Sequence, residues 1–151
     1  MRRSMAMTTA TAATTAVVLL AVALGAAGCG GPKYDSSLQL AEFNFGEVLD
    51  GHMMRARQAL GTVRDLESAK KAAATLEMIN QDLDDVGYNA YRLSPEGQAQ
   101  LGKLAAKHLA EIEGLAREIR ERPVLWDVLG GGLEGMIGEL GGMVSGRGGG
   151  R

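Results

Sequence analysis

From residue 38 to residue 119, apolar side chains recur every three or four positions, the period of helices that each bury one stripe. The first block runs from about Leu38 to Leu60, with Leu38, Ala41, Phe45, Val48/Leu49, His52, Ala56 and Ala59/Leu60 on one face, and Gly61 suits the position past its end. Leu38, Leu40, Phe43 and Phe45 also permit an extended start. The second block opens at Asp65, whose carboxylate can cap unpaired first-turn amides, and carries Leu66, Ala69, Ala72/Ala73, Leu76, Ile79, Leu83, Val86 and Ala90 to about Tyr91. The third restarts on Ser94-Pro95-Glu96: a capping hydroxyl, a proline where its missing N–H is harmless, and an acid that complements the helix dipole. Its stripe is Leu101, Leu104/Ala105, His108, Ile112, Leu115 and Ile119, and Pro123 ends it. Helices two and three, about 27 residues or roughly 40 Å each, are joined by a short link that predicts an antiparallel pair. The short 61–65 link predicts that helix one packs back on helix two.

Beyond Pro123 the character changes, with glycine at 11 of the last 22 positions. Val124, Leu125, Trp126, Val128 and Leu129 make one apolar turn, and Leu133, Met136, Ile137, Leu140, Met143 and Val144 continue at helical spacing. Each interior glycine costs up to about 1 kcal/mol against alanine, so a free-standing helix is not expected: the stretch docks on the bundle or on a partner, stays a flexible tail, or lies on a membrane surface. Trp126, Leu133, Met136, Ile137, Leu140 and Met143 are its candidate docking surface. Gly131-x-x-x-Gly135 and Gly138-x-x-x-Gly142 have the spacing that lets helices approach closely, while Asp127, Glu134 and Glu139 argue against a membrane span. Residues 146–151 are expected to be disordered. The fold expected is all-α: three long antiparallel helices, as a bundle or extended hairpin, plus a short Gly-rich C-terminal amphipathic segment.

The N-terminus follows a different pattern. Arg2 and Arg3 precede a Thr-rich stretch, an apolar run over residues 16–24, the small residues Ala26-Ala27-Gly28, and Cys29, the single cysteine. A cationic start, an apolar run of roughly 7–15 residues and small residues at a cut describe a secretory signal. Ending on cysteine, the segment resembles the signal peptide of bacterial lipoproteins, although Ala26 stands where that family usually has leucine. The resemblance implies cleavage before Cys29, a thioether-linked diacylglycerol on its sulfur, and acylation of the new amino group. Gly30 and Gly31 after the cysteine, without aspartate, imply the outer membrane, facing the periplasm. Two or more acyl chains hold stably, at about 0.8 kcal/mol per buried CH₂. An uncleaved anchor needs about 20 apolar residues, and ordinary secretion would leave an odd free cysteine. The expected organisation is a signal at 1–28, a lipidated tether at 29–37, a helical domain at 38–129, and a Gly-rich segment with its tail at 130–151.

Without the leader, 14 basic residues face 18 acidic ones, a net charge of about −4. That argues against nucleic acid, whose binding rests on a basic surface that displaces counterions. With Cys29 lipidated, no disulfide is available.

Candidate chemistry is sparse. His52-Met53-Met54 are soft ligand types suited to copper, but adjacent helical residues point about 100° apart, and His108 alone does not complete a set. Asp82, Asp84 and Asp85 lack the glycine turn and terminal glutamate of a calcium loop and read as a solvated face. No nucleophile elbow, phosphate loop or triad is present. The chain is therefore expected to be non-enzymatic and without cofactor. A buried Glu or His facing a cavity would reopen catalysis.

Thr62-Val63-Arg64-Asp65-Leu66-Glu67-Ser68-Ala69-Lys70-Lys71-Ala72, with the Pro95 restart, resembles small uncharacterised exported proteins built on helical hairpins; no activity comes with that likeness. The function expected is an envelope lipoprotein with a structural or protein-interaction role. Its partners would be the membrane, through the lipid on Cys29, and an envelope protein or a second copy. The alternative is a small-ligand carrier with a cavity lined by Phe43, Phe45, Met78 and Trp126.

Overall fold

A computed structural model describes residues 34–146. The signal-like segment 1–28, Cys29 with residues 30–33, and residues 147–151 lie outside the described residues.

The described chain opens with a 3₁₀ turn, Ser36–Leu38, then a two-residue hairpin of β1 (Gln39–Leu40) and β2 (Phe43–Asn44), antiparallel with Gln39 opposite Asn44 and Leu40 opposite Phe43. Four helices follow: α1 (Phe45–Gly61), α2 (Leu66–Ala90), α3 (Pro95–Arg120) and α4 (Pro123–Val144). The mostly helical expectation holds, but the described residues form four helices rather than three, with a small strand pair.

The first helix begins at Phe45, not Leu38. Asn44 settles the point, since its side chain accepts from the amides of Gly46 and Glu47 and so caps the helix. Upstream, Asp35 accepts from the Ser37 amide, and Ala41 turns the hairpin with a φ of 53°. A positive φ at the first turn position matches the twist of two-residue hairpins, at a cost of about 1–2 kcal/mol for a residue with a Cβ. Ala41 is therefore an exposed turn residue, not part of a helical stripe. Tyr34, Ser36 and Ser37, expected in a tether, belong to the fold: the Tyr34 hydroxyl donates to Asp50, and Leu38 is buried.

The starts of α2 and α3 lie where the caps predict. Asp65 and Ser68 form a reciprocal capping box, and the Ser94 hydroxyl accepts from the Gly97 amide with Pro95 at the first helical position. Both apolar stripes are buried, except that Leu66 is exposed and Ala73, Leu104, Leu115 and Ile119 are half-buried.

The largest departure is the C-terminal segment. Pro123 ends α3 and, three residues after Arg120, also starts α4 at a position that tolerates its missing N–H. The resulting 22-residue helix packs on both α2 and α3, and α2 and α3 meet mainly through it. The expected direct pairing of helices two and three is replaced by a wedge. Leu125, Leu129, Leu133, Met136, Leu140 and Met143 are buried along it.

Glycine makes the wedge fit, though not at the spacing read from the sequence. A methyl at Gly132 would sit 3.0 Å from the Leu76 Cβ, and one at Gly135 would sit 2.6 Å from the Asn80 amide nitrogen. That amide donates to the Gly132 carbonyl at 2.9 Å, tying α2 to α4. Gly131, Gly138 and Gly142 face open space. Close approach thus uses Gly132 and Gly135, three apart on the α2-facing side. No helix among the described residues is long and apolar enough to cross a membrane.

Candidate functional site

The two-residue hairpin does not lie flat on the bundle. Held over the α1–α2 junction, it encloses a cleft of about 570 Å³, within the range that suits a small organic ligand. Leu40, Ala41, Phe43, Phe45, Val48 and Val86 form its apolar wall; His52, Asp82, Asp85, Asn89 and Arg92 supply the polar one. Phe43 stands at the lip, 65% exposed, and the strained Ala41 beside it shares the lining.

Local structure explains each contribution. Asp82, Asp85, Val86 and Asn89 are related by helical steps of three or four and share one face of α2. His52 comes from α1, 7% exposed. Its Nδ1 lies 2.5 Å from the Arg55 Nη2 and 3.3 Å from Asp82 Oδ2, and Arg55 reaches the same carboxylate at 3.4 Å. A guanidinium can only donate, so His52 Nδ1 is the acceptor and the ring hydrogen sits on Nε2. The imidazole therefore offers a donor from Nε2.

Burial holds the His52 pKa below its ordinary 6.5, the Arg55 charge adds to the effect, and Asp82 opposes it. An unfolded histidine takes up its proton first as pH falls below about 6.5, so this residue's contribution to stability is complete above that pH. It is lost as pH falls toward the lower native value. Urea midpoints measured from about pH 7.5 down to pH 5.5 should fall for the wild type and fall less for His52→Gln. Parallel profiles would show that His52 charges equally readily in both states.

The second histidine is a separate, interior group. His108 is 2% exposed, its Nε2 is 2.7 Å from Asp50 Oδ1, and its Nδ1 faces Glu111 at 3.6 Å without a hydrogen bond. Arg57 pairs with Glu111, and Asp50 also accepts from Tyr34. This network ties α1 to α3 and to the N-terminal strap, residues 34–38 ahead of the hairpin, and none of its members lines the cleft.

The other sequence candidates are dispersed. Met53 is buried while Met54 is half-exposed, so the His52-Met53-Met54 triplet points three ways. Among the described residues, no group of three or more His, Cys, Asp or Glu is placed to hold a metal ion. Asp84 and Asp85 are exposed, but Asp82 is engaged with His52 and Arg55. Of the suggested cavity residues, Phe43 and Phe45 do meet; Met78 is exposed elsewhere on α2, and Trp126 packs over Gly130 with the Arg120 guanidinium 4.3 Å from its ring centroid. Of the C-terminal docking strip, Leu133, Met136, Leu140 and Met143 are spent inside this chain, and only Trp126 and Ile137 keep partial exposure. The polar wall escaped the sequence reading, although an acidic-and-amide face at 82, 85 and 89 beside a histidine was its available signal.

No protein-family model, curated protein or solved structure matches this chain.

Proposed function

We propose that this protein is an exported lipoprotein, held at the cell envelope by lipid on Cys29, whose helical domain acts by binding rather than catalysis. One observation carries the first half: the cationic start, the apolar run at residues 16–24 and Ala26-Ala27-Gly28 end on the single cysteine. Outer-membrane attachment facing the periplasm is the sorting this reading favours. Intact mass of the membrane fraction tests it: the wild type should begin at Cys29 and carry acyl chains. Cys29→Ser should be unlipidated and leave the membrane fraction. An unmodified wild-type mass, or unchanged membrane association of the variant, would overturn the anchor.

A second reading, that the domain carries a small ligand, is favoured by the cleft under the hairpin. His52 faces this cavity, which raises the question of catalysis directly. A general base needs a bare ring nitrogen free to take a proton; here the Arg55 guanidinium occupies Nδ1 and the ring hydrogen sits on Nε2. Among the described residues, the cleft lining contains no serine, threonine or cysteine nucleophile. These features support recognition by hydrogen bonding and apolar contact.

A further inference from the structure

Charge along the chain sets the character of the cleft. The hairpin, α1 as far as His52 and the C-terminal half of α2 build it, and these stretches carry six acidic side chains and no lysine or arginine: Glu42, Glu47, Asp50, Asp82, Asp84 and Asp85. Asp50 is spent on the interior network with Tyr34 and His108, and Asp82 is balanced by Arg55 at 3.4 Å. The Asp85 carboxylate lines the cleft and has no ion pair among the described residues. One turn further along α2, the Asn89 amide nitrogen donates to the Asp85 backbone carbonyl at 2.8 Å, which leaves Oδ1 as the acceptor this side chain has to offer. Asp85 and Asn89 are four positions apart on one helix and therefore lie side by side. The α2 wall thus presents negative charge and unmet acceptors next to the apolar surface of Leu40, Phe45, Val48 and Val86. The neutral His52 ring, 7% exposed, adds a donor whose Nε2 hydrogen has no partner among the described residues.

We infer that the cleft binds a protonated amine with an apolar body. An ammonium group has three hydrogens to give and no lone pair to receive one, which matches a wall made of acceptors. It pairs with the Asp85 carboxylate and donates to Asn89 Oδ1, while the body fills the space among the apolar residues beneath Phe43 at the lip. The neighbouring carboxylates of Glu42 and Asp84 add to the attraction, because a cleft with apolar walls focuses the field of the dominant charge. Arg92, two residues past the end of α2, is the single basic residue among the described lining residues, and it opposes a cation. That opposition separates this ligand from an anion, since removing the Arg92 charge tightens the one and loosens the other. An oxygen on the ligand body, where it carries one, accepts from His52.

This inference rests on the cleft being a ligand site, and one titration separates the two. The full chain, isotopically labelled, is titrated at neutral pH with phenethylamine, phenethyl alcohol and phenylacetate, which share an apolar body and differ in charge. Amide shifts at Phe43, Val48, Val86 and Asn89 report occupancy. The amine should bind about two- to fivefold more tightly than the alcohol, the range of an exposed ion pair, and phenylacetate should bind most weakly. Asp85→Asn should bring the amine level with the alcohol, and Arg92→Gln should tighten the amine further. Both residues are exposed, and an unchanged affinity for the alcohol shows that each variant keeps its cleft. Equal affinities for the three probes, tightest binding of phenylacetate, or an amine preference that persists in Asp85→Asn would overturn the cation seat while keeping the ligand site. An absence of shifts at these residues with every probe at millimolar concentration would overturn both.

Discussion

A chain ending at Arg122 should lose cooperative folding altogether. Removing α4 takes away Leu125, Leu129, Leu133, Met136, Leu140 and Met143, six buried side chains worth about 1.5–3 kcal/mol each. Their sum, on the order of 10 kcal/mol, matches the whole net stability of a typical domain, about 5–15 kcal/mol. The loss is greater still because α4 lies between α2 and α3, so its removal uncovers both facing stripes. Circular dichroism should show a broad, non-cooperative melt, with binding of a hydrophobic dye at room temperature. A sharp transition in the truncated chain would show that the first three helices suffice and that α4 is an accessory.

Gly97→Ala should be the most damaging single methyl. Gly97 sits in the first turn of α3, where the N-terminal strap crosses, and an added Cβ would run into the backbone carbonyl of Ser37. A backbone carbonyl cannot rotate away as a side chain can, so either the strap lifts or the helix start shifts. Overpacking of this kind costs about 1–3 kcal/mol and occasionally more, against up to about 1 kcal/mol that alanine returns in helix propensity. Gly131→Ala is the control, because its Cβ meets nothing within 4 Å and the same propensity gain should appear undiminished. Thermal melts should therefore move in opposite directions, downward for Gly97→Ala and upward for Gly131→Ala. The strap continues into the hairpin that roofs the cleft, so Gly97→Ala should also broaden the amide resonances of Leu40 and Phe43. A Gly97→Ala protein as stable as the wild type would mean that the strap does not press on α3.

How much was legible follows from the range of each signal. The starts of α2 and α3 were readable because Asp65, Ser94 and Pro95 act within a few residues of themselves, on amides in the same turn. The start of α1 was misplaced because Leu38 and Ala41 fit a helical stripe by spacing alone. Asn44, an equally good cap seven residues into that block, marks the true boundary. In α4, a row of glycines that argues against an isolated helix becomes favourable where α2 comes close. Which glycines matter depends on the face turned toward Leu76 and Asn80; the GxxxG spacing picked out Gly135 but matched it with Gly131 rather than Gly132. The cleft was half visible: Phe43 and Phe45 were named as cavity residues, whereas Asp85, Asn89 and Arg92 looked like ordinary solvated positions.

Periodicity and caps alone determined that residues 45–120 are helical and where α2 and α3 begin, and left the C-terminal apolar row open between docking, a flexible tail and a membrane surface. Those properties are local, set by interactions within a turn or two. Tertiary structure decided that α4 is a central helix, that His108 is tied to Asp50 across α1 and α3, and that His52 and Asp82 meet beneath a hairpin. Each of these depends on which faces come together across the bundle, and distance along the chain carries no record of that.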